Sequence, residues 1–263
     1  MKVAIIQMAS LPNDKAATID KAMACIARCR GADLIILPEL WPIGFMDFDR
    51  YIPDAESENG DLPAWLQNMA KKLDACIHGG SFVQVDQGRY YNTSLLIDNQ
   101  GTVLASYRKI HLFGYRSREP RILSPGKSAV VIDTPIGRVG MATCYDLRFP
   151  ELFRRMSAAG AQIFLICAAW PASRMAHWRL LNQARALENQ CMSIAANAVG
   201  ICQGIALAGN SMVVDPWGTV VAAAGDQETI LMADIDLATV ENARQTFPVL
   251  ADRVDWLNPQ PHA

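Results

Sequence analysis

Glu39, Lys109 and Cys144 each stand at the end of an apolar run, and together they make a set of groups suited to covalent catalysis. Glu39 follows LIILP, Lys109 follows TVLASYR, and Cys144 follows VGMAT and precedes YDLRFPELF. Polar groups at the ends of buried strands lie on the rim of an α/β sheet, where ligand sites form. A thiol with a free pKa of about 8.5 is mostly protonated at neutral pH, so it needs a base to act as a nucleophile. A glutamate whose pKa is raised by burial suits that role. The lysine ammonium and the backbone N–H of Tyr145, at a strand–nucleophile–helix turn, suit the stabilisation of an oxyanion. Taken singly, each residue also has an ordinary reading. The acid and the lysine fit solvated strand ends or salt-bridge partners, and the cysteine fits a small core residue.

The elements that would position these groups alternate along the chain. VAIIQM (3–8), DLIILPE (33–39) and QIFLICAA (162–169) read as buried strands, and CMSIAANAV (191–199) as another. Asn13 is expected to cap a helix running to about Cys29, with Ala16, Ile19, Met23 and Ile26 on one face. Asp61 and Pro63 start a helix through Leu73, and 174–190 is a strong helix. ACIHGGSFVQV, YNTSLLI and TVLASYRKI follow as strands, with DNQG (98–101) as a hairpin turn. AVVIDTP and RVGMATC pair about PIG (135–137), a helix covers about 150–159, and 211–223 is a second hairpin. TILMADIDL (229–237) is the last strand. No low-complexity linker divides the chain, so residues 1–263 are read as one domain of mixed α/β class. The tail from about 247 is expected on the outside or at a subunit interface.

Composition narrows the function classes. With 263 residues, 51% hydrophobic and 19% charged, the chain has ample material for a core. A net charge of −2 without a basic block disfavours nucleic-acid binding. No apolar run reaches the ~20 residues that span a bilayer, and the start reads as a strand rather than a targeting segment. The seven cysteines, most of them in apolar runs, read as reduced thiols of a cytoplasmic protein. Cys25 and Cys29 share a helix face, but without further ligands they read as packing, and no metal or cofactor is expected.

The motifs around the three groups resemble the signature regions of the nitrilase superfamily of carbon–nitrogen hydrolases. These are LPEL around Glu39, YRKIHLF around Lys109 and GMATCYDLRFPELFR around Cys144. WPASRMAHWRLLNQARALENQ (170–190), GNSMVVDPWG (209–218) and the opening VAIIQM extend the likeness along nearly the whole chain. The resemblance implies a four-layer α-β-β-α sandwich, assembly into homodimers or larger oligomers, and a Glu–Lys–Cys catalytic set. It also implies a second glutamate between the lysine and cysteine motifs, and Glu119 fits that place. His111 is an ordinary part of the lysine motif and is not read as the partner of a Cys–His dyad.

The branch resembled most is that of ω-amidases, which act on small carboxylate-bearing amides. Cys144 would be acylated with release of ammonia, and Glu39 would then activate water against the thioester. In similar N-carbamoyl amino-acid hydrolases an arginine at the place of Arg148 binds the substrate carboxylate, which a guanidinium suits by its bidentate fork. An ion pair with Glu151 or Asp146 is the alternative. Phe45, Tyr115, Trp170, His177 and Trp41 are further pocket candidates, each flanking a catalytic strand. WPIGFMDFDRY, after Glu39, departs from the ω-amidase pattern. An N-carbamoyl amino-acid or β-ureido acid hydrolase is therefore the alternative substrate class, ahead of a nitrilase, a non-catalytic binder or an ammonia-supplying glutaminase.

Overall fold

Aliphatic runs bounded by turn residues set the strands, and the computed structural model describes residues 1–254. β1 (Lys2–Gln7) leads through α1 (Lys15–Ala27) to β2 (Leu34–Ile36), parallel to it. α2 (Phe48–Tyr51) and α3 (Asp61–Leu73) precede β3 (Cys76–His78), which is parallel to β2. β4 (Phe82–Asp86), β5 (Arg89–Ile97) and β6 (Val103–Arg108) follow as antiparallel hairpins. The second hairpin turns where expected, because the Asp98 carboxylate accepts the amides of Gln100 and Thr102. Next come α4 (Glu119–Ile122), β7 (Val131–Thr134) and β8 (Gly137–Thr143). A 3-10 turn at Cys144–Arg148 runs into α5 (Pro150–Ala158). β9 (Ile163–Ala168), α6 (Met175–Asn189) and β10 (Met192–Asn197) continue the alternation, with β8, β9 and β10 parallel. The chain closes with β11 (Val199–Cys202), β12 (Ile205–Ala208), β13 (Met212–Val214), β14 (Val220–Ala223), β15 (Thr229–Asp234) and α7 (Ala238–Thr246).

Two sheets stack face to face. The first has the order β15-β1-β2-β3-β5-β4, with β6 on β5, and the second β14-β13-β10-β9-β8-β7; β11 and β12 form a separate ribbon. Strand alternation sorts the layers. Val3, Ile5, Leu34 and Ile36 of the first sheet meet Val139, Met141, Ile163, Leu165, Ile194 and Val213 of the second. The opposite face of the first sheet (Ala4, Ile6, Ile35, Ile77) packs on Ala22 and Ile26 of α1 and on Leu62, Leu66 and Ala70 of α3. The outer face of the second (Ala142, Phe164, Ile166, Ala195) packs on Leu152, Phe153 and Met156 of α5 and on Trp178 and Ala186 of α6. This is the α-β-β-α sandwich. Each fully buried aliphatic contributes roughly 1.5–3 kcal/mol, so a one-residue slip that turns a strand's set to the wrong face is strongly disfavoured.

Some local expectations are corrected. Asp14, not Asn13, caps α1: its carboxylate accepts the amide of Ala17 at 2.8 Å, while Asn13 takes the left-handed conformation at φ 57. Ala16 is exposed, and the buried face of α1 runs through Thr18, Ala22 and Ile26. ACIHGGSFVQV is two strands, β3 and β4, and the run 191–199 divides between β10 and β11. Cys25 and Cys29 are packing, the Cys29 thiol donating to the Cys25 carbonyl at 3.3 Å. The described part of the expected tail, 247–254, carries exposed Phe247 and Val254, and residues 255–263 lie outside the described part.

Candidate active site

β2, β6, β8 and β9 all end on one rim of the stacked sheets, and Glu39, Lys109 and Cys144 follow the first three. Glu39 follows β2. The residue is 1% exposed, and its carboxylate accepts three hydrogen bonds: Oε1 accepts Lys109 Nζ at 2.8 Å and Asn92 Nδ2 at 2.9 Å, and Oε2 accepts the amide of Ala169 at 3.0 Å. Since Ala169 follows β9 of the other sheet, Glu39 bridges the two sheets. Two glycines make room for this. A Cβ on Gly80, which sits at φ 63, would lie 2.1 Å from the carbonyl oxygen of Pro38, and one on Gly126 would lie 2.0 Å from that of Arg108. Gly126 donates to the carbonyl of Lys109 at 2.8 Å, so a close backbone approach fixes the lysine.

Lys109 is buried between two acids. Its ammonium also donates to Glu119 Oε1 at 2.9 Å, and Glu119 Oε2 accepts the amide of Phe113 at 3.1 Å. Burial alone would lower the lysine pKa, but the charges of Glu119 and Glu39 reverse it and hold the pKa well above the ordinary value. Burial raises the Glu119 pKa against the pull of Lys109, with the charge of Glu39 adding to the rise. Three charged groups without water would be costly; directed hydrogen bonds to each make the cluster tolerable.

Cys144 takes φ 46, a left-handed conformation that a residue with a Cβ adopts at a cost of roughly 1–2 kcal/mol. The turn is held by its neighbours. The Asp146 carboxylate accepts the amide of Thr143 at 2.9 Å, and the Thr143 hydroxyl accepts the amide of Asp146 in return. Fully buried Asp146 also accepts the Tyr107 hydroxyl at 2.6 Å, the His111 amide at 2.9 Å and the His111 ring at 2.7 Å. One carboxylate thus ties the cysteine turn to the residues on either side of Lys109. Burial and the charge of Glu39 push the Cys144 thiol well above its ordinary pKa, with Lys109 opposing, so the resting group is a protonated thiol beside a carboxylate. The arrangement suits proton transfer during attack rather than a stored thiolate.

Beneath the rim the inter-sheet contact turns polar. Ser94, Thr143 and Cys167 lie on the same inward faces as Leu96, Met141 and Leu165, and their side-chain atoms are 3.4–3.6 Å apart. Cys167 is fully buried, and burial pushes its pKa up to about 12.

The expected residues divide into those at the cluster and those around it. Glu39, Lys109 and Glu119 are in direct contact, and Cys144 senses the charges of the first two. The Tyr145 ring stands edge-on to Phe113 at 5.2 Å and to Phe149 at 5.3 Å. Trp170 is buried, its amide donating to Asn197 Oδ1 at 2.7 Å. Arg148 lies over the Trp170 ring at 4.8 Å and donates to Nδ1 of exposed His177 at 3.2 Å, and it has no ion pair with Glu151 or Asp146. Phe45 and exposed Tyr115 line a cavity of ≈ 230 Å³ that also takes in Phe113, Arg174 and Ile205. Trp41 belongs elsewhere: its indole donates to the carbonyl of Gly79 and packs in the layer under α1 and α3. His111 is held on Asp146 and stacks on Phe149 at 3.8 Å. Sequence reasoning missed Asn92, Asp146 and the Ala169 amide. A polar residue in the middle of a buried strand, as in YNTSLL, is the one signal that could have found Asn92.

Comparison with known proteins shows the family and the fold. The family model for carbon–nitrogen hydrolases matches residues 2–245. A 2-oxoglutaramate amidase of Paenarthrobacter nicotinovorans is 38% identical over 230 residues, covering 84% of this chain and 78% of the relative. The human omega-amidase NIT2 is 36% identical over 264 residues, covering 96% and 94%. The crystal structure of Saccharomyces cerevisiae Nit3, a member of branch 10 of the nitrilase superfamily, superposes with a TM-score of 0.88 at 32% identity, covering 95% and 94%.

Proposed function

The chain belongs to the carbon–nitrogen hydrolase family of enzymes, and from that premise we propose that it hydrolyses a small carboxylate-bearing amide through a thioester on Cys144. The observation that carries the reading is the buried cluster in which Glu39 accepts Lys109 on one oxygen and turns the other towards the second sheet, next to a protonated thiol. Glu39 takes the thiol proton as sulfur attacks the amide carbon. Lys109 and the Tyr145 amide stabilise the developing oxyanion. Ammonia departs with the proton returned by Glu39, which then draws a proton from water as the water attacks the thioester. Glu119 holds the lysine from its far side, and its hydrogen bond to Phe113 fixes the wall of the cavity.

The substrate class rests on Arg148 and on the relatives. Two curated relatives are named 2-oxoglutaramate amidases, and a half-buried guanidinium free of an acidic partner suits an amide that carries a carboxylate. Trp170, Phe45 and Tyr115 shape the acyl side, and His177 orients Arg148. Homodimerisation is part of the proposal. Leu180 and Leu187 are exposed two turns apart on α6, and Leu187 packs against the turn that carries exposed Trp217. Leu180→Glu would then yield monomers in sedimentation. Seven free thiols suit a reducing, cytoplasmic setting. No helix among the described residues is long and apolar enough to cross a membrane.

The test is ammonia release from a panel of 2-oxoglutaramate, succinamate, glutamine, N-carbamoyl-β-alanine, butyramide and a simple nitrile. Turnover led by 2-oxoglutaramate or succinamate is expected. Carbon dioxide released with ammonia from the carbamoyl compound alone would instead assign a ureido-acid hydrolase.

A further inference from the structure

Arginines that leave water in this protein find partners. Arg50 meets Asp54, Arg108 meets Asp86, Arg154 and Arg185 meet Glu188, and Arg244 donates to the carbonyls of Gln190 and Ala161. Among the half-buried arginines of the described residues, Arg148 and Arg174 are the exceptions. Neither has a carboxylate within ion-pair distance, and Arg148 has only Nδ1 of His177, at 3.2 Å. They flank one indole. Arg148 lies over the Trp170 ring at 4.8 Å, while the Trp170 Nε1–H donates to the carbonyl of Arg174 at 2.9 Å. The Arg174 guanidinium then leans over two rings of the cavity wall, 5.9 Å from Phe113 and 5.6 Å from Tyr115. Aromatic faces favour a cation there and restrict its rotamers, so the fork is held before any ligand arrives.

Two like charges partly withdrawn from water and left without a counter-charge are a built demand for an anion. The cavity that Arg174 lines is small; Arg116 and Ser173 also line it, and the rest of its wall is mostly apolar, with Phe45, Met46, Phe113 and Ile205 contributing. It adjoins the reactive groups through Phe113, whose amide is on Glu119, and through Phe45, which packs with Ala169 next to Glu39. We propose that Arg174 is a specificity-determining residue. With Arg148 it binds the carboxylate at the end of the substrate remote from the amide carbon attacked by Cys144, while the apolar lining takes the methylene chain between. This rests on the carboxylate-bearing amide reading above and adds the residue that selects the charge.

The experiment compares succinamate with butyramide, which share a carbon chain and differ in the terminal carboxylate, using the ratio of their kcat/KM values. In the parent enzyme the ratio favours succinamate. Arg174→Ala is expected to lower the ratio by about 10- to 100-fold, mostly through the KM for succinamate, and Arg174→Lys to fall between because it keeps the charge without the fork. An unchanged ratio in Arg174→Ala overturns the inference, whether the two activities persist or fall together. Arg121→Ala removes an exposed arginine of α4 that does not line the cavity; an equal loss of ratio there would overturn it too, by showing a diffuse field in place of an anchor. A parent enzyme with no preference for succinamate refutes the substrate-class reading itself, before any variant is assayed.

Discussion

Replacing Asp146 by Asn tests whether one buried carboxylate locks the cysteine turn to the lysine strand. The side chain keeps its shape, but one acceptor oxygen becomes an NH2 that faces former donors. If it replaces Oδ2, the Tyr107 hydroxyl can turn to accept but the Thr143 amide cannot; if it replaces Oδ1, the His111 ring can change tautomer but the His111 amide cannot. Either way a buried N–H loses its acceptor, at about 1–3 kcal/mol, and the surviving bonds weaken from charged to neutral. The total is roughly 3–5 kcal/mol, which for a protein of this size lowers Tm by roughly 6–20 °C. Melting followed by circular dichroism measures it. Activity should fall as well, since the left-handed Cys144 depends on the Thr143–Asp146 exchange. A variant that melts within about 2 °C of the parent would refute the assignment of the lock to Asp146.

Other outcomes follow from the same geometry. Asn92→Leu removes a donor from Glu39 Oε1, so kcat for ammonia release should drop by about 10- to 100-fold; a kcat within about twofold of the parent would remove Asn92 from that role. His78 is fully buried with both ring nitrogens unpartnered, and burial lowers its pKa from 6.5 to about 4. The unfolded chain therefore binds the extra proton between these values, and stability falls as pH drops through that window, by about 2 kcal/mol between about pH 7 and 4.5. Urea midpoints should register this loss in the parent, and His78→Met should flatten the curve; an equally steep curve in the variant would contradict it.

What could be read from the sequence was what is local. Aliphatic runs such as VAIIQ and IFLICA fix their own strands, and an Asp–Gly turn fixes its hairpin, because the information lies within a few residues. Glu39, Lys109 and Cys144 could be singled out because each ends such a run, and the family motifs around them joined the three. What was illegible depends on partners far along the chain. Asn92 and Glu39 are 53 residues apart, Glu39 and the Ala169 amide 130, and Asp146 and His111 35. The ribbon of β11 and β12 pairs with itself and has exposed Ile201 at its edge, so it lacks the buried alternation that marks the other strands. α7 buries only Val240 and Ala243, too narrow a stripe to stand out. Between Asn13 and Asp14 both side chains are capping types, and only backbone geometry selected the second.

The most direct test of the account is mass spectrometry of the enzyme quenched during turnover of succinamate. The account predicts a succinyl thioester on the peptide containing Cys144, absent in Cys144→Ala along with ammonia release, and absent in Glu39→Gln because sulfur cannot be deprotonated as it attacks. An adduct on another residue, or continued ammonia release by Cys144→Ala, would contradict it.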